Sequence, residues 1–279
     1  MKKGLFDTHA HLSDTRFDGD RMEALDRAAA AGISAVVEVA DSPEDWEKAI
    51  DLCRAASARS GTPTTFCSLG LHPYYADRHS GDLLKAFEAA EQSAPPRTLV
   101  AVGEIGLDYV KAEVGRETQI RTLEAWLAAA KEWRKPVVIH CRGAFEDLRP
   151  LLKNIYPAPP QTPSESRFWG VIHCFSGTES DAHELSRLGF ALGVDGPVTY
   201  PKNEALRKAF KSSGVDALVL ETDSPYLPPQ ALRGKRNEPA LLRQIASKAA
   251  EILDLPESEL AARTTRNALD LFGISPTGR

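Results

Sequence analysis

The sequence predicts a (β/α)8 TIM barrel, and three observations point there. Eight short apolar runs alternate with helix-period segments along the chain. Most of those runs are continuously apolar rather than alternating, as in parallel strands buried on both faces. The length, 279 residues, suits a fold that typically takes about 250. A doubly wound open sheet shares the same periodicity and stands as the alternative at this level.

The candidate strands run from Gly4 to His9, Ala35 to Val39, Thr65 to Leu71, Leu99 to Ile105, Val137 to Cys141, Val171 to Phe175, Phe190 to Val194 and Ala217 to Glu221. Between the fourth and fifth, residues 117–133 read as a helix, because Ile120, Leu123, Leu127 and Ala130 form one apolar stripe. Gly32 and Gly214 stand where helices should stop before the next strand. Residues 237–272 give two more helical patterns split near Leu255-Pro256, hence an extra C-terminal helix. Asn237 reads as a helix cap, with Pro239 in the first turn. Residues 1–279 read as one barrel domain. The Pro-rich stretch at 156–163 is expected to be a surface insertion at the non-catalytic end, since it joins a helix to the following strand.

Composition narrows the function classes. Apolar residues make up 42% and charged residues 26%, ordinary for a soluble globular chain. The net charge of −5 argues against a duplex-DNA binder held by diffuse basic charge. No apolar run reaches the length of a membrane span, and the segment before Asp7 is too short for a signal-peptide core. Cys53, Cys67, Cys141 and Cys174 form no Cys-x-x-Cys pair and read as reduced thiols in a cytoplasmic protein. Strand alternation turns Cys141 and Cys174 toward the helices.

The polar residues suited to metals gather at the C-terminal ends of the candidate strands. His9 and His11 close the first, His72 follows the third, Glu104 closes the fourth, His140 the fifth, His173 the sixth and Asp223 the eighth. In a parallel barrel all those ends open on one face. Each residue alone has a bland reading as a cap, an ion-pair partner or a hydrogen-bonded core group. Together, histidines with two buried carboxylates are hard to satisfy without a cation. Six ligands, His9, His11, Glu104, His140, His173 and Asp223, exceed the four usual for one zinc. Two divalent ions fit the number better, with Glu104 as the bridge because it lies on the middle strand. His9, His11 and Asp223 then complete one site, and His140 and His173 the other. Imidazoles favour Zn²⁺, Mn²⁺, Ni²⁺ or Co²⁺ at the tight positions, with Mg²⁺ held more weakly. Two such ions leave the pocket locally positive inside an acidic protein, which suits an anionic group such as a phosphate diester.

The stretches Asp7-Thr8-His9-Ala10-His11-Leu12, Gly70-Leu71-His72-Pro73, Gly103-Glu104-Ile105-Gly106-Leu107-Asp108-Tyr109, His140-Cys141-Arg142, His173-Cys174-Phe175-Ser176-Gly177, Glu221-Thr222-Asp223-Ser224-Pro225-Tyr226-Leu227 and Arg233-Gly234-Lys235-Arg236-Asn237-Glu238-Pro239 follow one another over nearly the whole chain. In that order they resemble the TatD family of metal-dependent hydrolases. The resemblance implies an amidohydrolase-like barrel with a dinuclear metal site. It implies a deoxyribonuclease acting from the 3′ end of single-stranded DNA, with RNA as a possible second substrate, by means of metal-activated water. It also implies that the six residues named above are ligands and that His72 lies beside the ions and contacts substrate.

Three residues carry the catalytic expectation: Glu104 as bridge, Asp223 as ligand and proton acceptor, and His72. Arg142 shares the side of His140 and is expected on a phosphate oxygen. Arg236, with Arg233 and Lys235, is expected on the rim along a phosphate backbone. Tyr226, with Tyr74 and Tyr75, lies on mouth loops where bases can stack. The main competing reading is an amide or ester hydrolase of the amidohydrolase type, including D-aminoacyl-tRNA deacylation, since the same metal pair would activate water against a carbonyl. A metal-stapled scaffold without turnover is the third.

Overall fold

Each of the eight apolar runs forms a parallel strand in the computed structural model, which describes residues 4–160 and 166–275. The strands are β1 (Leu5–Ala10), β2 (Ile33–Ala40), β3 (Thr64–Leu69), β4 (Leu99–Asp108), β5 (Val137–Arg142), β6 (Gly170–Ile172), β7 (Phe190–Val194) and β8 (Leu218–Leu220). They pair in chain order, all in parallel. The seam between β8 and β1 closes through single contacts: Asp223 N–H donates to the His9 carbonyl at 2.9 Å, and His11 N–H to the Ser224 carbonyl at 2.7 Å. The result is a nearly closed (β/α)8 barrel; the open-sheet alternative is excluded by that seam.

Helices α1 (Arg21–Ala30), α2 (Pro43–Ser57), α3 (Gly81–Ser93), α4 (Arg116–Glu132), α5 (Phe145–Ile155), α6 (Glu179–Arg187), α7 (Glu204–Ser213) and α8 (Leu242–Leu253) follow β1 to β8 in turn. The stripe read at 117–133 is α4, with Leu123, Leu127 and Ala130 buried against the barrel. Gly32 (φ 83°) and Gly214 (φ 71°) take the left-handed backbone that ends α1 and α7 without a Cβ clash. The extra helix is α9 (Glu257–Leu271), introduced by Pro256. It caps the barrel's N-terminal end. Ala268, Leu271 and Phe272 pack on the inward-facing Phe6, Phe66 and Val100, with the Phe6 and Phe272 rings 5.9 Å apart. The interior at that end is therefore filled by side chains and covered by α9, beside a cavity lined by Leu99, Val100, Phe168, Leu271 and Phe272.

Three expectations need adjustment. β6 and β8 end earlier than the apolar runs, because Cys174 (φ 45°) and Asp223 (φ 55°) turn the chain into left-handed backbone just past the ladder. That turn also defeats the alternation argument for Cys174, which lies among Asp195, Asp223 and Glu221 rather than under the helices. Asn237 caps no helix. It is fully buried, and its Nδ2 donates to the carbonyls of Thr222 and Tyr226, both at 2.7 Å, latching the loop after β8. At the start of the Pro-rich stretch Tyr156 is buried, and Trp169, just before β6, donates its indole N–H to the Ala158 carbonyl at 2.8 Å. Residues 161–163 of that stretch lie outside the described residues.

Candidate metal centre

All seven expected mouth residues converge, and Glu104 is at their middle. Its two carboxylate oxygens face different partners. Oε2 lies 3.2 Å from His9 Nε2 and 3.9 Å from His11 Nε2. Oε1 lies 2.7 Å from His140 Nδ1, 3.6 Å from His72 Nε2 and 4.0 Å from His173 Nε2. Asp223 Oδ1 closes the ring, 3.4 Å from His11 Nε2 and 3.7 Å from His173 Nε2. The strand ends explain the convergence. His9 and His11 are two apart at the end of β1 and share a side, while Glu104 is carried on the longest strand, β4.

Two rings have their outer nitrogens beside oxygens of the scaffold. His11 Nδ1–H donates to the Val39 carbonyl at 3.0 Å, leaving its Nε2 to face the cluster. His173 Nδ1 lies 2.9 Å from Glu221 Oε1, so its Nε2 also points inward. His72 differs: its Nδ1 accepts the Tyr74 N–H at 3.2 Å, so in the neutral ring Nε2 carries the proton. That makes His72 a hydrogen-bond donor toward the cluster rather than a lone-pair ligand. Asp7, fully buried two residues before His9, ties β1 to the β8 loop by accepting from Thr222 N–H (2.9 Å) and Oγ1–H (2.7 Å).

The electrostatics reflect this crowding. Burial, and then the neighbouring His173, push His9 down to about 4. Burial pushes His72 to about 3. For His173 burial acts the same way, but Glu221 and Glu104 outweigh it and raise the ring to about 10. Carboxylates likewise overcome burial at His11 and His140 and raise both. Burial alone would raise Glu104, yet His173, His140 and His9 hold it well below the usual carboxylate range. Burial pushes Asp7 up to about 8 despite its bonds to Thr222.

The donor set fits a cation. Among the described residues, buried ligand atoms of His9, His11 and Glu104, and of His9, His173 and Glu221, come close enough to share an ion, and Glu104 and His140 do so in a third group whose other member is the donor His72. His9 Nε2 and His11 Nε2 stand 3.0 Å apart, two nitrogens facing one another beside a carboxylate. A positive charge between them relieves that opposition, and imidazole with carboxylate suits Zn²⁺ or Mn²⁺ chemistry.

The substrate residues divide. Arg142, at the end of β5, reaches the mouth and is partly exposed, paired with Asp108 at 3.3 Å. Tyr74 and Tyr226 are exposed on mouth loops. Tyr226 packs edge-on to His11, beneath Arg16, with its hydroxyl donating to Asp14 at 3.2 Å. Arg236 departs from expectation. Its guanidinium donates to both oxygens of Asp20 (2.6 and 2.8 Å), lies 3.5 Å from Glu238 and stacks on Phe17. It ties the β8 loop to the start of α1, so its donors are committed to the fold. Sequence reasoning gave no role to Asp108 or Glu221. Both are buried neighbours of ligand rings. Glu221 had a usable signal, standing two residues before Asp223.

Comparison with known proteins sharpens this picture. A family model described as TatD related DNase matches residues 6–273. The chain belongs to the TatD family of metal-dependent hydrolases. It is 34% identical over 275 residues to an uncharacterized metal-dependent hydrolase, YabD, of Bacillus subtilis, covering 97% of this chain and 100% of the relative. It is 31% identical, over the same shares, to a protein of Erwinia amylovora named 3′-5′ ssDNA/RNA exonuclease TatD. The crystal structure of the TatD homologue YjjV from Escherichia coli superposes with a TM-score of 0.85 at 30% identity, covering 97% of this chain and 98% of that one.

Proposed function

We propose that this TatD-family chain is a phosphodiesterase that shortens single-stranded DNA, and RNA as a second substrate, from the 3′ end, using two divalent cations. The observation that carries the two-ion reading is Glu104, whose oxygens face separate histidine sets. In this reading His9, His11, Asp223 and Glu104 would hold one ion, and His140, His173 and Glu104 would hold the other. When bound, such ions polarise a phosphoryl oxygen and acidify water. Nuclease polarity and substrate come from the name of the Erwinia relative.

The chain's own groups supply the rest. Asp223 Oδ1 lies at the mouth beside His11 and His173, and it can accept the proton of an attacking water and return it to the leaving oxygen. His72 Nε2–H is aimed into the cluster and can donate to a phosphoryl oxygen. Arg142 offers a forked guanidinium for the phosphate, released from Asp108. Tyr74, exposed at the mouth, offers a ring for an unstacked base, which favours a single strand over a duplex; Tyr226 can do so only where Arg16 gives up its ring face. The four free thiols support a reducing, cytoplasmic setting. Among the described residues no helix is long and apolar enough to cross a membrane.

The test is to incubate metal-replete protein with 3′-labelled single-stranded DNA, a simple phosphodiester and an aminoacyl ester, with and without chelator. Chelator-sensitive release from the first two supports the proposal. Turnover of the aminoacyl ester alone replaces it with the deacylase reading, and no product in any arm leaves the scaffold reading.

A further inference from the structure

Asp108 ends β4 and is fully buried beside the mouth. Four donors surround its carboxylate. Oδ1 accepts the backbone N–H of Val110 at 2.9 Å and of Lys111 at 2.8 Å. Oδ2 faces His140 Nε2 at 3.1 Å and Arg142 Nη1 at 3.3 Å. Its backbone is gripped as well. Gln119, buried on α4, accepts the Asp108 N–H at 2.8 Å and donates to the Asp108 carbonyl at 3.1 Å.

Two consequences follow from the chemistry of an ionised carboxylate, which only accepts. His140 is strung between Asp108 at Nε2 and Glu104 at Nδ1, 2.7 Å away. Both ring nitrogens face carboxylates, so each carries a hydrogen in the metal-free protein. A cation beside Glu104 would take the place of the one on Nδ1, while Asp108 keeps the one on Nε2 and leaves the Nδ1 lone pair pointing into the cluster. The same oxygen, Oδ2, is shared with Arg142, the cation nearest to His140 on that strand.

We propose that Asp108 is a positioning residue that couples metal binding to phosphate capture. It fixes the tautomer of His140 so that Nδ1 is the ligating nitrogen, and it parks Arg142 at the mouth until a substrate phosphate takes the guanidinium. This rests on the two-ion reading above. A residue that merely stapled the loop after β4 through Val110 and Lys111 would leave the His140 tautomer and the metal affinity untouched.

Asp108→Asn keeps the shape. Its remaining oxygen can still accept from Val110 and Lys111, while its NH2 opposes the two donors of His140 and Arg142. Titration of the metal-free proteins with zinc chloride reads the result. The wild type takes up two ions, and the variant binds one of them about 10–100-fold more weakly with the other unchanged. KM for the DNA strand rises as Arg142 is loosened. Equal zinc affinities in the two proteins overturn the proposal. A wild type that binds no zinc defeats the metal-centre reading itself, a different and separable result. A second measurement needs no variant. In zinc-loaded wild-type protein labelled with 15N-histidine, a long-range 15N–1H correlation should put the His140 ring proton on Nε2. A proton on Nδ1 overturns the proposal, however the variant folds.

Discussion

Replacing Glu104 by glutamine keeps the side chain's size and removes the charge that five imidazole rings face within 4.0 Å. The expected result is a fall in kcat of about 10²–10³-fold, the order seen when one preorganised electrostatic group is lost. Steady-state kinetics at saturating metal would check it, and near-normal turnover would remove Glu104 from the bridging position. A pH prediction follows from the rings themselves. His173 is raised to about 10 in the fold, against about 6.5 in an unfolded chain. Its protonation therefore stabilises the metal-free protein fully below pH 6.5, and that contribution is lost as pH rises through 10. Added zinc competes for the same nitrogens, so it should release protons at pH 7 and bind more tightly as pH rises from 6 to 8. Calorimetry in buffers of different ionisation enthalpy measures that release; a pH-independent zinc affinity would contradict it. The ligands were legible as residues because each stands at the end of an apolar run. The partners behind them were not. Asp108 and Glu221 look in sequence like ordinary strand-end acids, and only the fold sets them against His140 and His173. Arg236 misled for the converse reason: a basic loop after β8 reads as a rim, whereas Asp20, more than two hundred residues away in the chain, claims its donors.

At the level of elements, the site depends on how closely β4 and β5 approach. Gly106 sits opposite His140 in that pair, and a Cβ added there would lie 2.0 Å from the His140 carbonyl oxygen. Gly106→Ala should force the strands apart and cost about 1–3 kcal/mol of stability, the usual range for overpacking a filled interior. A denaturant midpoint equal to wild type would show that the strands have slack. Element existence was legible because burial on both faces writes a continuous apolar run. Boundaries were less so at β6 and β8. The left-handed residues that end them, Cys174 and Asp223, are not glycine and carry no local mark of that backbone. Asn237 shows the same limit: its sequence context reads as a helix cap, but its Nδ2 is held by two carbonyls of the β8 loop and its Oδ1 accepts from the adjacent Glu238 N–H.

Across the whole molecule the two ends of the barrel have separate duties. The N-terminal end carries α9 and the start of the Pro-rich stretch, while the chemistry-bearing residues stand at the other. Trp169→Phe removes the indole N–H that holds the Ala158 carbonyl and should lower stability by about 1 kcal/mol. It should leave kcat and KM for single-stranded DNA unchanged. A changed KM would mean that the lower end reaches the substrate path. The barrel's polarity is legible from connectivity, since helix-to-strand segments of a parallel barrel lie at the end away from the mouth. The central claim is that Glu104 joins two cations. A crystal of the chain grown with Mn²⁺ and measured for anomalous scattering tests it most directly. Two peaks about 3.5–4 Å apart, one against His9, His11 and Asp223 and the other against His140 and His173, with Glu104 between them, are the predicted result. A single peak, or peaks that do not touch Glu104, would contradict it.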